Sequence, residues 1–146
     1  MHVSVLNGPS LNLLGVREPS VYGTDTLQDI EARVRAVGSS LGVTLDFVQH
    51  NGEGALIDSI HALRGVADGA VVNAGAYTHT SLAVRDALTA VGVPFVEVHL
   101  SNIFAREPER RTSMLAGAAV GVVCGFGATS YELALRGLVD WLSRAR

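Results

Sequence analysis

The chain has 146 residues, of which 48% are hydrophobic and 17% charged, and it contains a single cysteine, Cys124. This length predicts one domain over residues 1–146 with one core, and one cysteine allows no disulfide framework and no thiolate metal site. A net charge of -3 without a basic cluster argues against nucleic-acid binding, and the absence of a signal stretch or long apolar run predicts a cytoplasmic protein with no membrane partner.

The chain begins with a short apolar strand over residues 3–6, which is followed by a long loop over residues 7–23. Gly and Pro punctuate this loop, and its sequence, NGPSLNLLGVREPSVYG, has no helical or strand period. A loop of this length in a compact domain commonly covers an active site. We therefore expect it to bring Arg17 and Tyr22 to a ligand.

Apolar strands alternate with amphipathic helices along the rest of the chain. Thr26 is placed to cap a helix whose apolar residues recur at spacings of three and four until Gly42 ends it. The other strands are predicted at residues 43–48, 70–72, 95–100 and 120–126. Four further helices are predicted. One covers residues 56–63, one runs from about residue 80 to 91, a brief one follows the segment SNIFAREPERR, and the last begins near Ser130.

Strand runs that are nearly continuously apolar, each followed by helical periodicity, predict a parallel sheet covered on both faces. This is a doubly wound α/β fold, and five strands in a chain of this length fit the flavodoxin-like order 2-1-3-4-5. In such folds, ligands bind beyond the carboxyl ends of the strands. Strands one, three and four are neighbours in this order, so the polar residues that follow them should converge on one crevice.

Glu97 and His99 are two residues apart on the fourth strand, so both side chains lie on one face of it. A carboxylate beside an imidazole fixes the tautomer and favours the protonated ring, as a general acid requires. A purely structural polar pair at a strand end is the alternative. Ser101 and the backbone amides around it offer donors for a substrate carboxylate.

Arg17 and Tyr22 form a second candidate pair if the loop folds over the crevice. A guanidinium close to a tyrosine hydroxyl favours the phenolate, which could then act as a general base. The alternative is that both are surface residues. Asn12 and Asn73 could hold a water or a substrate hydroxyl, or could bond only their own turns.

Arg106 and Arg110 are four residues apart and share a helical side. They could clamp an anion, or they could form a solvated ion-pair surface with the neighbouring glutamates. The remaining histidines show no spacing that favours a metal site.

Three segments, NGPSLNLLGVREPSVYG, NAGAYTHTSLAVRDAL and VEVHLSNIFAREPERR, resemble, in this order, the signature segments of the type II 3-dehydroquinate dehydratases. The likeness covers almost the whole chain. It implies a flavodoxin-like subunit and a dodecamer built as a tetramer of trimers. It also implies dehydration of 3-dehydroquinate to 3-dehydroshikimate in the shikimate pathway, by syn loss of water through an enolate and without a metal or cofactor.

The resemblance also implies a role for each matched residue. Tyr22 matches the proton acceptor, and Arg17 matches the arginine that favours its phenolate. His99 matches the proton donor to the departing hydroxyl, and Glu97 matches its supporting carboxylate. Asn12 matches a catalytic residue that holds a water near the enolate oxygen. The matched substrate-binding residues are Asn73, Leu100 and Ser101 around the carboxylate and ring, His79 and Arg110 at the ring hydroxyls, and Asp86, which contacts the site of a neighbouring subunit.

The chain departs from the usual residues of this family at Ser10, Gly52, Phe104 and Glu109, none of which matches the acid or the base. Two alternatives exist on the same fold: a module that binds FMN or accepts a phosphoryl group, and a catalytically silent binding protein. The first loop lacks the Ser/Thr-rich phosphate cradle of a flavodoxin. Intact Arg17, Tyr22 and His99 argue against a silent protein.

Overall fold

The computed structural model describes residues 1–16 and 18–146. A parallel sheet of five strands has the order β2-β1-β3-β4-β5, which confirms the predicted topology. The strands are β1 (His2–Asn7), β2 (Thr44–Gln49), β3 (Gly69–Asn73), β4 (Phe95–His99) and β5 (Gly121–Cys124). The helices are α1 (Pro19–Tyr22), α2 (Leu27–Ser40), α3 (Glu53–His61), α4 (Tyr77–Thr80), α5 (Leu82–Val91) and α6 (Thr129–Ala145).

The interior strands β1, β3 and β4 are buried on both faces. Successive side chains of a strand point to opposite sides, and helices cover each side of the sheet. Val3 and Val5 of β1 belong to a core that includes residues of α2 and α6. Leu6 of the same strand belongs to a second core with residues of α3 and α5, so the prediction of a single core is wrong, because the sheet separates the buried residues of its two faces. Full burial of each Val or Leu side chain contributes about 1.5–3 kcal/mol. These strands are therefore nearly continuous apolar runs, as the sequence indicated.

The predicted helix cap at Thr26 is confirmed. Its hydroxyl accepts a hydrogen bond from the Asp29 backbone N–H at 3.1 Å, and the Asp29 carboxylate accepts one from the Thr26 N–H at 2.9 Å. The bond from the Thr26 backbone lowers the pKa of Asp29 below its usual value. Two orphan donors of the first turn are thereby satisfied, which fixes where α2 begins.

The predicted boundaries differ most from the structure in three places. The helix expected from residue 80 is split, because Ser81 leaves the helical conformation and its hydroxyl caps α5 by accepting the Val84 N–H at 2.9 Å. The brief helix expected after Arg111 is a turn over residues 116–118. The fifth strand ends at Cys124 because Gly125 follows with φ 98°, outside the strand region.

The long first loop is largely irregular, as predicted, but it contains a 3₁₀ turn at Leu11–Leu13 and the single turn α1. Ser10 and Glu18 adopt the left-handed region, with φ 65° and 40°. Tyr22 is the last residue of α1. Among the described residues, no helix is long and apolar enough to cross a bilayer.

Gly8 connects β1 to this loop, and substitution with alanine tests the packing there. A Cβ atom at Gly8 would lie 2.4 Å from the carbonyl oxygen of Ala74, while the Gly8 N–H is held by the Asn73 carbonyl at 2.7 Å. We expect Gly8→Ala to lower the free energy of unfolding by about 1–3 kcal/mol because the backbone must shift. Urea denaturation followed by circular dichroism measures the change.

The matched control is Gly54→Ala in α3, where a Cβ would meet nothing within 4 Å. This variant should gain about 0.5–1 kcal/mol, because alanine loses less backbone entropy than glycine in a helix. Equal stability of Gly8→Ala and the parent chain would contradict the packing argument.

Candidate active site

A crevice of about 140 Å³ opens at the carboxyl edge of β1, β3 and β4, where the sequence predicted that polar residues would meet. Its volume suits a small molecule. The predicted site residues that line it are Tyr22, Asn73, His79, His99, Leu100, Ser101 and Arg110. Tyr22 of the first loop and His99 of the sheet therefore face one space.

The other predicted site residues do not line this crevice. Glu97 is fully buried behind His99. Asn12 is exposed, and its amide oxygen accepts from the Gln49 Nε2 atom at 3.5 Å. Asp86 is exposed on α5. Arg17 lies outside the described residues.

A buried hydrogen-bond network aligns the ends of β1 and β3. Asn7 and Asn73 are register partners, and the Tyr131 hydroxyl lies between their side chains. The Asn73 Nδ2 atom donates to this hydroxyl at 2.9 Å, and the hydroxyl donates to Asn7 Oδ1 at 2.7 Å. Asn73 Oδ1 accepts the Gly75 N–H at 3.1 Å, which also shapes the turn after β3. Burial raises the pKa of Tyr131, so it remains a neutral hydrogen-bonding group.

His99 and Glu97 form the pair expected from their spacing. The His99 Nε2 atom lies 2.6 Å from Glu97 Oε1, and the His99 side chain is 7% exposed while that of Glu97 is 0% exposed. Glu97 also accepts from the Ser113 hydroxyl, at 2.7 Å to Oε1 and 2.9 Å to Oε2. Since Nε2 faces the carboxylate, Nδ1 is the ring nitrogen left for the crevice.

His79 stacks on His99, with ring centroids 6.3 Å apart and planes inclined by 21°. Its Nδ1 atom lies 2.8 Å from the Thr112 carbonyl oxygen. Because a carbonyl only accepts, Nδ1 carries the proton, and a neutral His79 presents Nε2 as an acceptor. His79 can therefore accept a hydrogen bond from a ligand hydroxyl.

Tyr22 contacts Arg106, a pairing that the sequence did not predict. Arg106 Nη1 donates to the Tyr22 hydroxyl at 2.8 Å, and the guanidinium carbon lies 5.2 Å from the ring centroid. A cation in this position stabilises negative charge on the phenol oxygen. Arg110 pairs with Glu107, which raises the pKa of that guanidinium, and Arg106 lies 3.7 Å from the same carboxylate. The two arginines thus line the crevice and also form ion pairs.

The crevice lining is basic although the chain carries a net charge of -3. Arg106, Arg110 and two histidines contribute to it, and among the described residues that line it none is Asp or Glu. The Ser101 N–H donates to no other described residue, which leaves it available to an anion. This arrangement favours a small, negatively charged ligand.

Sequence reasoning missed Ser113 and Tyr131 as contributors to the site. Ser113 lies 16 residues from Glu97, and nothing in its neighbourhood indicates the contact. Tyr131 occupies the apolar stripe of α6. A tyrosine hydroxyl in such a buried stripe usually has a hydrogen-bond partner, and this was the available signal. Across residues 1–16 and 18–146, no group of three or more His, Cys, Asp or Glu side chains is placed to hold a metal ion.

Comparison with known proteins links this site to one family. The family model described as Dehydroquinase class II matches residues 1–139. A 3-dehydroquinate dehydratase of Gemmatimonas aurantiaca is 65% identical over 146 residues, which cover 100% of this chain and 96% of that protein. A protein of the same name from Jannaschia sp. is 57% identical over 144 residues, covering 99% and 97%.

Solved structures agree with these sequence relatives. The crystal structure of the type II dehydroquinase from Propionibacterium acnes matches with a TM-score of 0.91 and 39% identity, over 95% of this chain and 96% of that one. The type II dehydroquinase from Butyrivibrio crossotus matches with a TM-score of 0.92 and 37% identity, over 96% and 97%.

Tyr131→Phe tests the buried network. Without its hydroxyl, Asn7 Oδ1 loses a donor and Asn73 Nδ2 an acceptor, so we expect a loss of about 1–3 kcal/mol in unfolding free energy. Tyr77→Phe is the control, because it removes a hydroxyl whose partner, the Asn51 carbonyl, is exposed, and it should cost less. Chemical denaturation at pH 7 measures both.

The same variant has a pH signature. An unfolded tyrosine ionises near pH 10, whereas burial keeps Tyr131 protonated in the folded chain. Its contribution is therefore complete below about pH 10 and decreases as the pH rises further. The parent chain should lose stability above pH 10 more steeply than Tyr131→Phe, and parallel curves would show that the buried hydroxyl is not responsible.

Proposed function

The chain belongs to the class II dehydroquinase family, and we propose that the crevice at the ends of β1, β3 and β4 is its active site. It is a 3-dehydroquinate dehydratase, a hydro-lyase of the shikimate pathway. No comparison supports the alternative of a module that binds FMN or does not catalyse. The observation that carries the site proposal is that Tyr22 and His99 line the same basic crevice.

Tyr22 is the proposed base. The proton beside a ketone is weakly acidic, so its removal needs a strong base and stabilisation of the enolate that forms. Arg106 Nη1 donates to the Tyr22 hydroxyl at 2.8 Å, and a cation beside a phenol oxygen stabilises negative charge on that oxygen. We assign the same effect to Arg17, as the family resemblance implies. The phenolate takes the proton, and the C–H electron pair moves into the enolate.

His99 is the proposed acid. Hydroxide is a poor leaving group, so the C–O bond breaks as His99 gives the departing oxygen a proton and water leaves. The His99 proton on Nε2 is engaged by Glu97, so the donated proton must come from Nδ1 of an imidazolium. The buried Glu97 carboxylate stabilises that cation. A proton then returns from Tyr22 to His99 through solvent, which restores both groups.

The remaining site residues bind substrate in this proposal. The Ser101 N–H and Asn73 suit the substrate carboxylate, with Leu100 against the ring. His79 and Arg110 suit the ring hydroxyls. Asn12 would hold a water near the enolate oxygen. Its exposed position beside Gln49 means that the water would have to bridge to the crevice.

We propose that the enzyme is cytoplasmic and assembles as a dodecamer, a tetramer of trimers, in which Asp86 completes the site of a neighbouring subunit. Two features support this assembly. Asp86 is exposed on α5 and away from the crevice of its own chain. The edge formed by β5 and α6 exposes apolar side chains, including Val122, Leu133 and Trp141.

The reaction itself can be followed by the absorbance of the conjugated enone product. The parent chain should convert 3-dehydroquinate to 3-dehydroshikimate. Tyr22→Phe and His99→Ala should each lower kcat by at least about 100-fold, the contribution expected of a general base or acid, while folding is unchanged. Near-parent turnover in either variant would remove that residue from the mechanism.

Subunit mixing tests the role of Asp86. If Asp86 reaches a neighbouring site, Asp86→Ala and Tyr22→Phe homo-oligomers should both be inactive, because each of their sites carries one defect. Co-refolded mixtures should recover part of the parent activity, because some sites receive an intact Tyr22 from one chain and an intact Asp86 from another. Sedimentation of the same samples gives the assembly size, and mixtures without recovered activity would place Asp86 outside the shared site.

A further inference from the structure

The carboxylate of Glu97 is fully buried, and few groups compensate for the cost of burying its charge. A buried ionised carboxylate costs several kcal/mol unless it is paired and hydrogen-bonded. Within the described part of the chain, no Lys or Arg forms an ion pair with Glu97; its partners are the His99 ring and the Ser113 hydroxyl. Each of these donors therefore matters for keeping Glu97 ionised.

The orientation of the Ser113 hydroxyl is fixed by the backbone that follows it. The N–H groups of Leu115 and Ala116 both donate to Ser113 Oγ at 3.0 Å. A serine hydroxyl has one proton and two lone pairs. Since both lone pairs are occupied, the proton points at the Glu97 carboxylate, 2.7 Å from Oε1 and 2.9 Å from Oε2.

We propose that Ser113 is a positioning residue for the dehydration, which acts through Glu97 to set the tautomer and charge of His99. Its hydroxyl keeps Glu97 ionised and accepting only. Glu97 therefore accepts a hydrogen bond from the Nε2–H of His99, and the proton used in the reaction resides on Nδ1. This inference rests on the proposed role of His99 as the acid.

The other groups around His99 make this support necessary. His79 of α4 stacks on the ring, and the crevice also presents Arg106, Arg110 and Tyr22. The two guanidiniums disfavour a positive charge on His99, and a protonated His79 would do the same. Glu97 is the carboxylate bonded to the ring, so the imidazolium depends on Glu97 remaining ionised.

Ser113→Ala is the direct test, with Ser130→Ala as the matched control. Ser130 is a buried serine whose hydroxyl accepts a backbone N–H, as that of Ser113 does, here from Phe126 at 2.9 Å. Among the described residues, only the Ser113 hydroxyl of these two donates to Glu97. We expect Ser113→Ala to lower kcat about 10–100-fold with KM changed by less than about threefold, the scale of outer-shell effects in metal enzymes. Ser130→Ala should lose stability without losing kcat.

A second readout separates positioning from general damage. The alkaline limb of the pH–rate profile reports loss of the proton from the general acid, His99. In Ser113→Ala this limb should move to lower pH, because Glu97 no longer favours the imidazolium as strongly. Ser113→Thr retains a hydroxyl in the half-exposed position and should restore both kcat and the profile. If Ser113→Ala does not fold, Ser113→Cys, a weaker donor, should give an intermediate loss of kcat.

Nitrogen NMR of the His99 ring gives a readout that does not need turnover. In the parent chain, the neutral ring should carry its proton on Nε2, whereas Ser113→Ala should show a mixture of the two tautomers. Parent-like kcat, pH profile and tautomer in Ser113→Ala would overturn the proposal, as would a Ser113→Thr variant as impaired as Ser113→Ala. Turnover that survives His99→Ala would instead refute the proposed acid, which distinguishes the two failures.

Discussion

The crevice depends on one hydrogen-bonded alignment, that of the last residues of β1 and β3 through the Tyr131 hydroxyl. Parallel pairing brings Asn7 and Asn73 side by side, and the helix α6, 58 residues further along the chain from Asn73, provides the hydroxyl that joins them. The network ties the core on one face of the sheet to the crevice above its edge. Because the side chains are buried, each bond satisfies a group that would otherwise be costly to bury.

The electrostatics of the site are arranged in two layers. Cationic and neutral donors line the crevice, and the nearby carboxylate of Glu97 is withdrawn behind His99. An acidic substrate therefore meets a basic surface, while the His99 ring contacts the buried carboxylate on its other side. In a chain that is acidic overall, this local reversal draws the substrate to one place on the surface.

Much of this arrangement could be read from the sequence, because apolar periodicity and strand-end polar residues are local properties. The spacing of Glu97 and His99 predicted their contact, and the strand order predicted that Tyr22 and His99 would face one crevice. The hydroxyl of Ser113 could not be predicted, since its role depends on which backbone amides occupy its lone pairs. The Arg106 contact with Tyr22 depends on how α1 folds back, which no local pattern describes. The helix split at Ser81 could not be predicted either, because a serine is favoured in both helix caps and turns, and its local sequence does not decide between them.

The single turn α1 has a further consequence for how the enzyme fails when heated. It is four residues long, has no buried residue and is bounded by left-handed Glu18 and by Gly23. His99, by contrast, belongs to β4, an interior strand of the sheet with a neighbour on each side. The free energy needed to displace the turn is therefore smaller than that of global denaturation, and inactivation can precede any loss of sheet structure. A thermal scan of the whole molecule would then overestimate the temperature at which the enzyme still works.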